Sequence, residues 1–249
     1  MKENEEKIEL TILMPCLNEE ETIGICIEKA QKYIEKNGIK GEVLISDNGS
    51  TDKSVEIACS MGARICHETR KGYGSALIRG TKEAKGKYII MGDCDDSYDF
   101  LNLNEMLTEL RNGNQLVMGN RFKGGIEKGA MPFSHRYIGN PILSAIGRVL
   151  YKTKIGDFHC GLRGYERQAV LDLNLQSPGM EYASEMVVQA VKNNFKIAEV
   201  PTTLSKDGRT KPPHLRTIRD GMRHLIYLLK NYEWKLRRFS FLELNLIIK

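Results

Sequence analysis

Residues 87–97, KYIIMGDCDDS, decide how this sequence folds, because a mostly apolar run ends here on a cluster of acidic residues. Lys87–Met91 has the short, continuous character of a strand that is buried on both faces of a parallel sheet. Asp93, Asp95 and Asp96 follow where this strand leaves the core. In open α/β sheets, ligands bind outside the carboxyl ends of the strands. The stretch therefore predicts a fold class and the edge of the sheet that carries a site.

Strand and helix patterns alternate on both sides of this stretch. Further strands are predicted at Ile8–Met14, Val43–Ser46, Ala63–Cys66 and Leu116–Met118. Helical spacing of apolar residues predicts helices over Glu21–Glu35, from Ser50 or Thr51 to Ser60, over Tyr73–Ala84 and over Leu103–Arg111. This alternation is typical of an α/β fold with a mostly parallel, doubly wound sheet that carries helices on both faces.

The second half of the chain is less regular. Helices are predicted over Met131–Tyr151, Met180–Lys192 and His214–Lys230, and Ile197–Val200 and Thr202–Leu204 are strand-like. No internal repeat, low-complexity stretch or obvious linker separates the two halves. We therefore expect a single domain over residues 8–230, followed by a basic tail over residues 231–249.

Charge is distributed unevenly along the 249 residues, whose net charge is +5. Residues 201–249 contain 11 Lys or Arg and 4 Asp or Glu, a net charge of +7, so the rest of the chain is near −2. A basic end of this kind favours a phosphate-bearing partner or an anionic membrane surface, although a solvated helix face explains it equally well. We expect no nucleic acid partner, and the sequence leaves the oligomeric state open.

The six cysteines form no C-x-x-C pair and have no histidine at zinc-like spacing. No secretory signal pattern opens the chain, so we expect reduced thiols in the cytosol. No window approaches the ~18 consecutive apolar residues of a membrane-spanning helix. These observations predict a protein that does not cross a membrane as a single helix.

Four polar segments fall at predicted strand exits or in loops beside them: Pro15–Glu19, Asp47–Asp52, Lys71–Gly74 and Asp93–Ser97. Because the carboxyl ends of parallel strands share one edge of the sheet, we expect these distant segments to converge on one rim. Extended geometry would place Asp93 and Asp95 on the same side. Two such carboxylates attract a hard divalent cation, Mg²⁺ or Mn²⁺, which would neutralise a departing diphosphate. D-x-D alone is a weak pattern, and a solvated acidic loop is the alternative.

The ordered set of motifs resembles the family 2 glycosyltransferases of GT-A fold. The matches are P-x-x-N-E at Pro15–Glu19, the D-D-G-S-x-D element at Asp47–Asp52, the acidic D-x-D, G-S-R at Gly119–Arg121, D-x-x-S-G-F-R at Asp157–Arg163, an acidic helix at Glu181–Glu185 and E-V-P at Glu199–Pro201. The similarity as a whole covers about residues 8–230. Within the family, the sequence resembles the dolichol- or polyprenyl-phosphate sugar synthases of the mannosyl and glucosyl types.

The resemblance implies a nucleotide-sugar half, residues 8–120, and an acceptor half, residues 121–230. It implies a donor site made of Pro15, Asn18, Glu19, Asp47, Lys71, Gly72 and Asp93. It implies a metal held by Asp93, Asp95 and Ser97, and catalytic roles for Asp95, Arg121 and Arg136. It implies an acceptor site made of Arg136, Glu185, Arg209 and Lys211. Arginine suits such sites because its planar fork binds phosphate oxygens in pairs.

Three positions depart from the family pattern. Such synthases often have D-A-D-L-Q, whereas this chain has Ser97 in place of the final Gln, so Asp96 or water would complete the metal shell. Asp47-Asn48 replaces Asp-Asp, which leaves the preference between UDP and GDP open. Cys160 replaces a serine, which is a mild change.

The resemblance implies an inverting, metal-dependent transfer of a hexose from a UDP- or GDP-sugar to a polyprenyl phosphate. We expect peripheral association with the cytoplasmic face of a membrane, through the basic amphipathic helix that carries Arg216, Arg219 and Arg223. Two alternatives stay open. One is a soluble family 2 transferase that acts on a glycan or cell-surface polymer, and the other is a non-catalytic nucleotide-sugar binder.

Overall fold

The computed structural model describes residues 7–210 and 218–232. The strands are β1 (Leu10–Cys16), β2 (Gly41–Asp47), β3 (Arg64–His67), β4 (Tyr88–Met91), β5 (Leu116–Asn120), β6 (Arg163–Glu166) and β7 (Ile197–Pro201). The α-helices are α1 (Ile23–Lys36), α2 (Ser54–Ser60), α3 (Tyr73–Glu83), α4 (Asn104–Arg111), α5 (Arg121–Gly124), α6 (Asn140–Tyr151), α7 (Arg167–Asp172) and α8 (Tyr182–Lys192). Residues 218–232 are also helical.

One seven-stranded sheet orders these strands as β3-β2-β1-β4-β6-β5-β7. The central strand β1 pairs in parallel with β2, where Cys16 lies opposite Asp47, and with β4, where Leu13 lies opposite Met91. The carboxyl ends of β1, β2 and β4 therefore share one edge. This arrangement confirms the predicted α/β fold with a mostly parallel sheet.

Alternate residues of the sheet face two separate cores, as the two-residue period of a strand requires. Ile12 of β1 belongs to the cluster that contains Ile27 of α1 and Leu107 of α4. Leu13 belongs to the opposite cluster, which contains Leu77 of α3 and Val187 of α8. Both faces of the sheet are thus covered by helices, so a central strand such as β4 is a continuous apolar run rather than an alternating one.

Strand β6 is absent from the sequence-based prediction, and it pairs antiparallel with both β4 and β5. It has no apolar run, since Arg163-Gly164-Tyr165-Glu166 combines charged residues with a glycine. The Arg163 side chain is fully buried, and its guanidinium donates to three main-chain oxygens, those of Phe158, Cys160 and Ala183, at 2.8–2.9 Å. These hydrogen bonds stabilise a buried guanidinium, whereas the sequence pattern predicts an exposed arginine at this position.

Two other predictions in the second half need correction. Thr202–Leu204 is not a strand, because only an isolated bridge joins Leu204 to Ile126. Met131–Tyr151 is not one regular helix, since a π-helical turn at His135–Gly139 precedes α6. Pro141 lies in the first turn of α6, where its missing N–H breaks no helical hydrogen bond.

The helix over residues 218–232 packs against the end of α6. The Tyr151 hydroxyl donates to the Leu228 carbonyl at 2.7 Å, and the rings of Tyr151 and Tyr232 meet edge to face at 6.4 Å. Within the described ranges, none of the helices has the length and apolar character needed to span a bilayer.

Candidate active site

The polar strand exits meet at the shared edge of β1, β2 and β4. Register brings Cys16 opposite Asp47, and the Asn48 amide donates to the Cys16 carbonyl at 2.9 Å. On the other side of β1, the Gly92 amide donates to the Leu13 carbonyl at 3.1 Å and so fixes the start of the acidic segment. The predicted convergence of these segments on one rim is confirmed.

The acidic segment lies in the middle of this rim. Burial, followed by repulsion from Asp95, raises the pKa of Asp93 to about 7, and a hydrogen bond from the Tyr73 hydroxyl partly opposes the shift. One oxygen of Asp95, Oδ1, accepts from the Ser97 amide at 3.1 Å and from the Ser97 hydroxyl at 2.6 Å. The other oxygen of Asp95 and the Asp93 carboxylate therefore form the negative centre of the site.

Arg209 lies over this centre, on the segment that follows β7. Its guanidinium donates to Glu19 Oε1 at 3.1 Å, to Asp95 Oδ2 at 3.0 Å and to Asp207 Oδ2 at 3.0 Å. The Arg209 side chain is only 11% exposed, and its Nε is buried without a hydrogen-bond partner. One cation thus links the first polar segment of the chain to the D-x-D segment.

The segment containing Arg209 is fastened at three further points. The Ser205 amide donates to the Ser97 carbonyl at 3.0 Å, and the Gly208 amide donates to the Asp95 carbonyl at 2.9 Å. Thr210 bonds to the Glu21 carboxylate through both its amide and its hydroxyl. Residues 205–210 therefore form a strap across the acidic segment.

Asp47 and Asn48 organise the loops on the donor side. The Asp47 carboxylate accepts from the amides of Gly49 and Ser50, which closes the turn after β2. Asn48 Oδ1 accepts from the Gly72 amide at 2.7 Å, and the Asn48 carbonyl accepts from Lys71 Nζ at 2.8 Å. The second and third polar segments are thus joined through a single asparagine.

The first polar segment is held just as firmly. Asn18 adopts a left-handed conformation (φ 58°), and its Oδ1 accepts from the Thr51 amide at 2.8 Å. The Glu19 amide donates to Ser54 Oγ at 2.8 Å, and the Pro15 carbonyl accepts from the Cys94 thiol at 3.1 Å. Pro15, Asn18 and Glu19 therefore lie together on the rim, as predicted for residues that share one donor site.

Asp93 and Asp95 fit a divalent cation in part. Within residues 7–210 and 218–232, no three His, Cys, Asp or Glu side chains are grouped to hold a metal by themselves. Two partly buried carboxylates that repel one another would accept a hard cation, with diphosphate or water oxygens as further ligands.

Asp96 and Ser97, the other two candidate ligands, have different partners. Asp96 Oδ1 pairs with Lys29 Nζ at 2.7 Å, and the backbone of Asp96 is left-handed (φ 64°). The Ser97 hydroxyl donates to Asp95, so its contact runs to a carboxylate rather than to a cation. The assignment of Ser97 as a metal ligand stays a prediction, with Asp96 or water as the alternatives that would complete the shell.

Comparison with known proteins decides the family. The sequence pattern described as glycosyl transferase family 2 matches residues 11–173. The chain belongs to this family. The match includes the first three polar segments, the acidic segment and Arg121 through Arg163.

Relatives of this glycosyltransferase occur in *Haloferax volcanii*. It is 39% identical over 223 residues to the low-salt glycan biosynthesis hexosyltransferase Agl6, a match that covers 89% of this chain and 53% of Agl6. It is 29% identical over 205 residues to a dolichyl-phosphate hexose transferase, with 82% of this chain and 86% of that protein covered. The chain therefore spans about half the length of Agl6 but most of the length of the second relative.

Solved structures share the fold. A glucosyl-3-phosphoglycerate synthase from *Mycobacterium tuberculosis*, in complex with Mn²⁺, UDP-glucose and phosphoglyceric acid, superposes with a TM-score of 0.72 at 20% identity. The match covers 91% of this chain and 80% of that one. The GT-A fold of the glycosyltransferase is thereby established.

Arg121 of the glycosyltransferase is held inside the protein. Its Nε and Nη2 donate to the two oxygens of Asp157 at 2.7 and 2.8 Å, and the side chains are 10% and 0% exposed. The sequence predicts that Arg121 receives phosphate oxygens, and the structure pairs its guanidinium with a buried carboxylate. This bidentate pair uses two of the five N–H groups of the guanidinium, so the phosphate-binding role of Arg121 stays a prediction.

Arg136 and Lys211 are two further residues of the predicted acceptor site. Arg136 lies in the π-helical turn, with Nη1 3.5 Å from the Ile126 carbonyl and its guanidinium over the Tyr137 ring. Lys211 falls outside the described residues. Their assignments as phosphate-binding residues stay predictions.

Glu185 of α8 is almost fully buried, with 6% exposure. Its two carboxylate oxygens accept from the amides of Gln176 and Ser177, at 2.7–3.2 Å. The acceptor contact expected from the sequence stays untested, and the structure shows both oxygens already occupied by main-chain donors.

The contacts that sequence analysis missed join residues far apart in the chain. Asp157 pairs with Arg121, and the turn over residues 176–179 contacts the start of α3. Motif matching indicated Asp157 without a role. The dipeptide Pro178-Gly179 is a turn signal, but nothing in it names the helix that it meets.

Proposed function

We propose that this glycosyltransferase transfers a hexose from a UDP- or GDP-sugar to a polyprenyl phosphate, with inversion at the anomeric carbon and with Mg²⁺ or Mn²⁺. The observation that carries the proposal is the rim itself. Asp93 and Asp95 lie between loops rich in backbone donors on one side and the strap over residues 205–210 on the other. Such a site is suited to holding two anionic reactants close together.

Asp93 and Asp95 would hold the divalent cation, and a cation there supplies charge neutralisation for the departing diphosphate. Glu19, Asp47 and Asn48 would bind the nucleoside, with the loop that carries Lys71 and Gly72 beside the diphosphate. The pairing of Arg209 with Asp95 supports this arrangement, because it shows that the acidic centre accepts a positive charge at close range.

Arg209 gives the two reactants an order of binding. A cation that binds Asp95 competes with the guanidinium for the same carboxylate. Arrival of the metal and donor would therefore release Arg209, and a released guanidinium can take the acceptor phosphate as a bidentate ligand. We propose that the nucleotide sugar binds first and the lipid phosphate second.

The acceptor is proposed to be a polyprenyl phosphate because a relative that covers most of this chain is named a dolichyl-phosphate hexose transferase. A phosphate monoester has a second pKa of about 6, so it is mostly dianionic at neutral pH. It needs no strong general base, and catalysis reduces to positioning and electrostatic stabilisation. A single displacement by the acceptor oxygen inverts the anomeric carbon, so an α-linked donor yields a β-linked product.

Exposed apolar residues support docking on a membrane. Nine of the twelve large apolar side chains exposed in the described ranges lie either in residues 133–149 or in the helix over residues 218–232. Ile218, Met222, Ile226 and Leu229 follow helical spacing, and so do Ile138, Ile142 and Val149. Arg219, Arg223 and Lys230 add positive charge that suits anionic headgroups. We propose that these two segments lie on the surface of the bilayer that contains the acceptor.

Incubation with a panel of UDP- and GDP-hexoses, with and without polyprenyl phosphate in vesicles, tests the proposal. Release of nucleoside diphosphate should depend on the lipid phosphate and on Mg²⁺ or Mn²⁺. Release that is equally fast with a soluble glycan would instead favour a transferase of soluble acceptors. Binding of a nucleotide sugar without any turnover would favour the non-catalytic binder.

A further inference from the structure

The turn over residues 176–179 joins two parts of the molecule that the sequence keeps far apart. On one side it is held by Glu185 of α8, and on the other it packs against the start of α3. The start of α3 follows Lys71 and Gly72, which belong to the proposed donor site. A contact on one side of this turn can therefore set the geometry on the other.

Glu185 fixes the turn through its main chain. The Ser177 amide donates to Oε2 at 2.7 Å, and the Gln176 amide lies 3.1 and 3.2 Å from the two oxygens. Charge-assisted hydrogen bonds from backbone amides are among the strongest in proteins. They also offset the free-energy cost of burying a carboxylate that is only 6% exposed. These bonds therefore hold the turn against α8.

The turn meets α3 without clearance. The Pro178 carbonyl accepts from the Ser75 amide at 3.1 Å. A Cβ atom added to Gly72 would lie 2.1 Å from the Pro178 oxygen, and one added to Gly74 would lie 2.1 Å from the Ser177 oxygen. Both positions must therefore be glycine for the main chain of α3 to pack directly against the main chain of the turn. A shift of the turn would pass directly to the start of α3.

The start of α3 in turn holds the polar residues of the rim. The Gly72 amide bonds to Asn48, and Lys71 Nζ bonds to the Asn48 carbonyl. The donor loop is therefore connected to the turn through Lys71 and Gly72, which directly precede α3.

We propose that Glu185 is a positioning residue for the nucleotide-sugar end of the site, and that it acts through the turn over residues 176–179 without touching either substrate. This inference rests on the proposed function, because it assigns Glu185 to the donor side of the same site. It differs from the acceptor contact that the sequence predicts, and the two roles affect different kinetic constants.

The test compares two variants of the contact between the turn and α3, which we call the joint. Glu185→Gln disturbs the joint from the side of the turn, and Gly74→Ala disturbs it from the side of α3. Gln keeps the shape of the side chain but turns an N–H₂ group toward main-chain donors. Glu105→Gln is the matched control, since Glu105 is an exposed glutamate in the first turn of α4. Each protein is assayed for its Kd for UDP and GDP with Mn²⁺ and no acceptor, and for the KM values of donor and polyprenyl phosphate. Thermal melting confirms that each variant is folded at the assay temperature.

We expect both joint variants to weaken nucleotide binding and to raise the donor KM by about tenfold, the effect of losing roughly one charge-assisted hydrogen bond. The acceptor KM should stay within about twofold of the wild-type value, as in Glu105→Gln. Unchanged nucleotide affinity in folded Glu185→Gln, or a raised acceptor KM alone, would overturn the inference while leaving the proposed function intact. Wild-type protein that binds neither UDP nor GDP would overturn both.

Discussion

The proposed donor side and the proposed acceptor side of this glycosyltransferase are built differently. On the proposed donor side, the side chains of Asn18 and Asn48 are hydrogen-bonded to main chain of neighbouring loops, and the Asp47 carboxylate closes its own turn. On the proposed acceptor side, the strap over residues 205–210 is tied down partly by the ion pairs of Arg209. We propose that the first arrangement is preformed and that the second rearranges when a substrate arrives.

This difference accounts for the two kinds of arginine near the site. Arg121 is paired with a fully buried carboxylate, so its bonds have no competitor from solvent. Arg209 has three carboxylate partners, of which Asp207 is 38% exposed on its side chain. Arg121 therefore belongs to the fixed part of the molecule and Arg209 to the exchangeable part.

Two neighbouring substitutions in the acidic segment, at Asp95 and Asp96, should differ most in their effect on activity. Asp95→Asn should reduce kcat by about a thousandfold, because it removes a carboxylate proposed to hold the metal against the leaving diphosphate. Asp96→Asn, one residue along and paired with Lys29, should change kcat by less than about threefold. Steady-state rates at saturating donor and acceptor measure both. Equal losses in the two variants would mean that the acidic segment acts only as a whole.

Arg121→Ala should lower the free energy of unfolding by about 3–5 kcal/mol, since it leaves the Asp157 carboxylate buried without its partner. Arg209→Ala should lower it by a smaller amount, about 1–3 kcal/mol, because one of its three partners, Asp207, is 38% exposed, whereas Glu19 and Asp95 are 6% and 13% exposed. Urea denaturation of the two variants measures the difference. Arg121→Ala protein with wild-type stability and no activity would place Arg121 among the phosphate-binding residues after all.

Arg209→Ala should have opposite effects on the two ligands. Affinity for Mn²⁺ with UDP should rise by about three- to fivefold, because the competing cation at Asp95 is removed. The KM for polyprenyl phosphate should rise by about tenfold or more, through loss of a charge-assisted contact. Calorimetry and steady-state kinetics check the two constants. If metal affinity falls, Arg209 supports the metal site rather than competing with it.

The smallest predicted effect concerns pH and the metal-free protein. The folded-state pKa of Asp93 is raised from 3.8 to about 7, so the folded state binds this proton more tightly than the unfolded state. Its contribution to stability is therefore present at low pH and is lost as pH rises through about 7. Asn does not titrate, so Asp93→Asn removes this loss of folding stability at high pH. With a chelator present, the variant should gain more in melting temperature over wild type at pH 8 than at pH 5, and an equal gain at both values would contradict the assignment.

The fold and the rim could be predicted because both have local signatures. Apolar runs such as Lys87–Met91 indicate buried strands, and parallel pairing then brings the polar exits to one edge. Strand β6 could not be predicted, because Arg163 looks like a surface residue until its main-chain acceptors are known.

The contacts that side chains make within the site could not be predicted from the sequence either. Arg209 lies 114 residues from Asp95, and Glu185 reaches the donor loops only through a turn. The family resemblance, rather than the residue types, predicted roles for Arg209 and Glu185. The fold alone shows which atoms each of them contacts.

Analysis of the product tests the central claim most directly. An α-linked UDP- or GDP-hexose would be incubated with polyprenyl phosphate, Mn²⁺ and the enzyme, and the sugar lipid examined by NMR. We expect a β-linked hexosyl phosphate that forms only with the lipid phosphate present and is absent with Asp95→Asn. An α-linked product, or sugar transfer that does not require the lipid phosphate, would contradict it.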